Sequence, residues 1–110
     1  MDKGFTKISN LKTIEKDFRA LILDIWGVLW DGVEPYANAK GSLKELKNKN
    51  KPIILLSNAP RRTSVVRNKL NAIGIHSRLY DRIISSGEIC RESCLKKKTF
   101  LSKIGKSFYF

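Results

Sequence analysis

Two short apolar runs in this chain end in residues that could do chemistry. Residues 19–24 end in Asp24, and residues 52–57 end in Ser57, with Asn58 beside it. A carboxylate at the end of a buried strand, with Gly27 three residues on, suits nucleophilic attack or metal ligation. A serine next to an asparagine can donate hydrogen bonds to an anion. A helix over 61–73 would aim its N-terminal amides at the same place. Carboxylate, metal and anion donors together fit phosphoryl transfer. A third polar group, Ser85, Ser86 and Glu88, follows the apolar pair Ile83 and Ile84.

The elements that must position these residues alternate. Phe5, Ile8, Leu11, Ile14 and Phe18 recur at spacings of three and four, so 5–17 reads as a short amphipathic helix or turn. Residues 19–24 and 52–57 are apolar enough and short enough for buried parallel strands. Trp30, Asp31, Gly32 and Val33 place Asp-Gly between apolar flanks, the signal of a tight hairpin. Residues 36–50 carry Tyr36, Ala39, Leu43 and Leu46 on one side and read as a helix that breaks between Asn48 and Pro52. Pro60 suits a first helical turn, with Asn58 as a candidate cap. The helix over 61–73 carries Val65, Val66, Leu70 and Ile73 and closes at Asn71 to Gly74. Ile83 and Ile84 form a third short strand, a helix covers 87–98, and residues 107–110 read as the opening of a further strand. The order β-α-β-α-β-α predicts an α/β fold with a parallel sheet. In such sheets ligands bind beyond the carboxyl ends of the strands, where Asp24, Ser57, Asn58, Ser85, Ser86 and Glu88 would converge.

Two segments then resemble a known family. Asp24, Ile25, Trp26, Gly27, Val28, Leu29, Trp30, Asp31 and Gly32, followed by Leu56, Ser57, Asn58, Ala59, Pro60 and Arg61, resemble the haloacid dehalogenase superfamily. The nearest pattern is its subfamily IIA, the NagD-like phosphatases, over about residues 8–92. The resemblance implies a Rossmann-like core and Mg²⁺-dependent hydrolysis of small phosphate esters: sugar phosphates, nucleotides or 4-nitrophenyl phosphate. It assigns Asp24 as the nucleophile that becomes an aspartyl-phosphate, and Ser57, with Asn58 beside it, as the phosphate-binding pair. It assigns Mg²⁺ to Asp24 and the backbone carbonyl of Trp26, and a small flap to residues 27–33.

The sequence departs from that pattern twice. The family's general acid is an Asp two residues after the nucleophile, where this chain has Trp26, and indole is a poor proton donor. One branch of subfamily IIA also carries Trp there. The third motif's Lys and the fourth motif's Asp residues lie downstream of a cap domain, and no Asp follows Asp81 here. Lys96, Lys97 and Lys98 fall on a helix rather than in the third motif. The expectation is one partial core domain over 1–110, truncated before the cap, with little or no turnover by itself. The alternative is a non-catalytic remnant, or a half enzyme completed by a separately encoded C-terminal half.

The remaining features narrow the function classes. The 110 residues carry a net charge of +12. Residues 61–110 hold 12 basic and 3 acidic residues against 10 and 7 in residues 1–60. A basic nucleic-acid-binding module is therefore a third reading, but no helix-turn-helix, zinc-finger or RNA-binding signature accompanies the charge. No apolar run is long enough to span a membrane. Residues 1–16 lack the apolar core of a secretory signal, and two cysteines predict free thiols in a reducing, cytoplasmic setting. Cys90 and Cys94 share a helix face; with Glu88, Glu92 and His76 they could hold a metal, but the spacing is not that of a zinc knuckle, and buried packing thiols are the expectation. Asp31 reads as turn-forming, Trp26 and Trp30 as packing residues. Arg61 and Arg62 either guide an anion or open a solvated helix. Gly105, Lys106 and Ser107 imitate a phosphate loop, but its first glycine would fall at Phe100.

Overall fold

The computed structural model describes residue 4 and residues 7–96. Its sheet has three parallel strands in the order β1 (Leu21–Asp24), β2 (Ile53–Ser57), β3 (Arg82–Ser85). Helices α1 (Ala39–Asn48), α2 (Thr63–Ala72) and α3 (Ser86–Leu95) follow the strands in turn. This is the predicted α/β, Rossmann-like arrangement. The register pairs Asp24 with Leu56, and Ser57 with Ser85, so β1 ends one row short of its neighbours.

Burial follows the strand period of two. Ile53, Leu55 and Ser57 on β2 and Ile83 and Ser85 on β3 are buried. Ala39 and Leu43 of α1, and Val66 and Leu70 of α2, share that core with Ile25, Leu29 and Ile75. On the opposite face Ile22 is 67% exposed and Leu56 is exposed. α3 packs against β3 without fully burying a residue.

The two core helices stop for the same reason. At the end of α1, Asn50 takes φ 56°, while the Asn50 and Lys51 amides donate to the Lys47 and Leu46 carbonyls. At the end of α2, Gly74 takes φ 81°, and the Gly74 and Ile75 amides donate to Asn71 and Leu70. Both are Schellman closures, which need a residue tolerant of the left-handed region. The second one delivers fully buried Ile75 into the core.

Several expectations need correction. Among the described residues of 5–17, the expected helix or turn takes the form of two 3₁₀ turns, Leu11–Thr13 and Glu15–Asp17. α1 starts at Ala39, not residue 36, and α2 starts at Thr63, so Pro60 lies before its first turn. Asn58 does not cap α2. The Thr63 amide donates instead to Glu88 Oε2 at 3.0 Å, a cap supplied from another helix. α3 ends at Leu95, and the strand expected at 107–110 lies outside the described residues.

The start of α3 forms a clamp on the loop between β2 and α2. Ser85 Oγ donates to the Arg61 carbonyl at 2.8 Å. Ser86 Oγ lies 2.9 Å from both the Asn58 and Ala59 carbonyls. The Gly87 amide donates to the Ala59 carbonyl at 3.2 Å. A Cβ on Gly87 would sit 2.6 Å from the Pro60 carbonyl carbon and 2.7 Å from the Arg61 oxygen. Only glycine admits that approach.

Two tests follow from the clamp. Gly87→Ala is expected to destabilise the fold by about 1–3 kcal/mol, the scale of an overpacked site, read from a denaturant melt. Hydrogen bonding from the Thr63 amide, aided by Arg62, holds the Glu88 carboxyl below its ordinary value of 4.5. Its contribution is therefore complete above that value and lost as pH falls through the lowered folded value. The melting temperature should drop in acid, and Glu88→Gln should flatten that drop.

Candidate active site

β1 presents Asp24 and β2 presents Ser57 at the same carboxyl edge of the sheet. Asp24 is exposed, and its Oδ1 accepts the Ile25 amide at 2.7 Å. Oδ2 has no hydrogen-bond partner among the described residues. Asp24 falls on the strand row of Ile22, whereas Ser57 follows Ile53 and Leu55 on the helix-covered side. The alternation therefore places the two side chains on different faces of the sheet.

Ser57 is 4% exposed. Its Oγ accepts the Ala59 amide at 3.2 Å, which turns the chain and leaves the hydroxyl proton for another acceptor. Asn58 is exposed, and its carbonyl is held by Ser86. A cavity of about 350 Å³ lies here, with Trp26, Trp30, Ser57, Asn58, Arg61 and Lys69 in its wall. It unites the expected phosphate-binding pair with Trp26. Asp24 is not in the wall, though its neighbours Ile25 and Trp26 are.

The segment expected as a hairpin flap is a turn rather than a pair of strands, and Asp31 shapes it. Asp31 Oδ1 accepts the Val33 and Glu34 amides at 2.8 and 2.7 Å, and these bonds hold its carboxyl below the ordinary value. Trp30 bridges to Pro35 across this turn. Gly32 has φ 109°, and a Cβ there would lie 2.8 Å from Trp26 Cζ3, so the indole of Trp26 rests on the glycine. Trp26 and Trp30 stand 5.1 Å apart at 49°. Trp30 packs against the core as expected, but Trp26 is 54% exposed, which corrects its reading as a packing residue.

Ser85, Ser86 and Glu88 do not converge on a ligand. Ser85 is fully buried, and all three are spent on the loop clamp. The N-terminal amide of α2 at Thr63 is likewise taken by Glu88. Of the two arginines that open this stretch, Arg62 pairs with Glu88 and Arg61 lines the cavity. Lys69, in the cavity wall and 6.0 Å from the Trp30 ring centre, is a site residue that sequence reasoning missed. Its spacing of three from Val66 on α2, another cavity-lining residue, was the available signal.

No group of three or more His, Cys, Asp and Glu residues that could hold a metal occurs among the described residues. Cys90 is exposed and Cys94 half-buried, and both are free thiols, so neither is the buried packing thiol expected. Burial, then the Cys90 neighbour, pushes the Cys94 thiol up. Of the donors the resemblance assigns to Mg²⁺, Asp24 has one carboxylate oxygen without a partner among the described residues, and no cluster of further carboxylates joins it among those residues.

No helix among the described residues is long and apolar enough to cross a membrane. No curated protein matches the chain. A solved structure, a hydrolase of the haloacid dehalogenase-like family from Brucella suis 1330, superposes with a TM-score of 0.75 at 28% identity. The match covers 82% of this chain and 33% of that one, so this chain spans about a third of that protein's length. The model of the haloacid dehalogenase-like hydrolases matches residues 21–108, which takes in both strand ends, the flap and the clamp. The chain thus belongs to the haloacid dehalogenase-like hydrolase family.

Proposed function

We propose that this chain carries the nucleophile and phosphate-binding half of a phosphate-ester hydrolase of subfamily IIA. The observation that carries this reading is the pairing of strand ends: an exposed carboxylate, Asp24, ends one strand, and a buried hydroxyl, Ser57, ends its parallel neighbour beside a cavity. Asp24 Oδ2 attacks phosphorus, and the bond to the ester oxygen breaks. Ser57 Oγ and the Asn58 side chain donate to the phosphoryl oxygens. Arg61 and Lys69 add positive charge, which draws an anionic substrate. Water then displaces phosphate from the aspartyl-phosphate and regenerates the carboxylate. Asp24 and the Trp26 carbonyl would hold Mg²⁺, which when bound would neutralise charge at the phosphoryl group. The substrate is a small phosphorylated molecule, and two unbridged thiols suit a reducing compartment such as the cytoplasm.

The test is phosphate release from 4-nitrophenyl phosphate with Mg²⁺, by the chain and its Asp24→Asn variant. Release by the chain alone is expected to be slow, because neither the third motif's Lys nor any Asp after Asp81 accompanies Asp24. Release above background should fall by up to about 10⁴-fold in the variant, the scale of losing a nucleophile. Equal release above background in the two proteins would overturn the reading. EDTA should stop release and excess Mg²⁺ restore it. A chelator-insensitive rate would remove the metal from the proposal.

A further inference from the structure

Two side chains outside the site carry chemistry that the hydrolase does not use. Cys90 and Cys94 are the two cysteines of the chain, and both are free thiols on α3. A spacing of four puts them on one helix face, with their Cβ atoms about 5–6 Å apart. Cys90 is exposed, and Cys94 is half-buried rather than sealed in the core. Burial raises the Cys94 thiol first, then the charge and a side-chain hydrogen bond of Cys90, so the two sulfurs are neighbours. α3 fully buries none of its residues, so the pair is not spent on filling the core.

The neighbours decide what such a pair can hold. Glu88 is taken by the Thr63 amide and by Arg62 and Arg91, and Glu92 pairs with Lys96 at 3.4 Å. No third His, Cys, Asp or Glu completes a metal-holding group among the described residues. Structural zinc takes four ligands, and hard cations take oxygen, so two thiols satisfy neither. Soft thiolates select Cu(I), and two of them in line complete its coordination. Two metal–sulfur bonds of about 2.3 Å span at most about 4.6 Å, within reach of side chains on adjacent turns. The dithiolate complex carries net negative charge, and Arg91 and Lys96 stand on the same two turns of a basic segment.

We infer that Cys90 and Cys94 form a binding site for a soft, two-coordinate cation of the Cu(I) class. The site is independent of the phosphohydrolase reading. On binding, each thiol loses its proton to solvent and each sulfur gives an electron pair to the ion. Copper stays monovalent and no disulfide forms, so the step needs no oxidant. The ion bridges successive turns of the helix whose first residues hold the loop after β2.

The experiment titrates the reduced full chain with Cu(I), without oxygen and with ascorbate present, against bathocuproine disulfonate as the competing chelator. One ion per chain is expected, with thiolate-to-copper absorption in the near ultraviolet. Cys90→Ser and Cys94→Ser should each weaken binding by more than about 100-fold, beyond the loss that follows from removing a mere support of a ligand. Far-ultraviolet circular dichroism should show unchanged helix content in both variants. A second measurement uses the unmutated chain and does not depend on how the variants fold. One equivalent of Cu(I) should protect both thiols from iodoacetamide, read by mass spectrometry, whereas Zn²⁺ at the same concentration should leave them reactive. Half an ion per chain, binding that survives either substitution, one thiol still alkylated in the copper-loaded chain, or equal protection by Zn²⁺ would overturn the inference.

Discussion

The hold of Ser85, Ser86, Gly87 and Glu88 on the loop after β2 is the contact on which the rest of the site depends. Ser57 belongs to a strand, but Asn58 and Arg61 belong to a loop without regular backbone bonding of its own. Its carbonyls at Asn58, Ala59 and Arg61 are each met from the start of α3. Buried backbone groups left unpaired would be costly. The loop is therefore held where those four residues hold it, and the cavity wall follows. Glu88 extends the same hold into α2 by capping Thr63. One end of α3 thus positions both the loop after β2 and the helix behind it.

The sheet edge imposes a second constraint. β1 ends at Asp24 while β2 runs one row further to Ser57. Strand alternation puts the two side chains on different faces. The turn after β1 closes on itself through the bridge of Trp30 to Pro35. Its shape comes from Asp31, whose carboxylate gathers two amides of the turn, and from Gly32, which gives Trp26 room. Asp31 acts through shape rather than as a reacting group.

Trp26 gives the wall of the cavity an exposed indole beside Ser57. The basic excess of residues 61–110 has a local counterpart here, since Arg61 and Lys69 both reach this cavity.

Much of this was legible in the amino-acid order. Apolar runs ending in Asp24 and Ser57 show the strands, because parallel strands buried on their inner face are short, continuous and apolar. Gly74 marks the end of α2, because few other residues take its backbone conformation. The two motifs identify the family and its candidate nucleophile. What the sequence could not decide was the partner of each polar side chain. Ser85, Ser86 and Glu88 have the same residue types as a ligand site, and only three-dimensional proximity shows that backbone groups of another loop consume them. Likewise Trp26 and Trp30 are equally aromatic on paper. Tertiary packing alone places one against the core and leaves the other exposed, because burial depends on neighbours distant in the chain rather than on residue type.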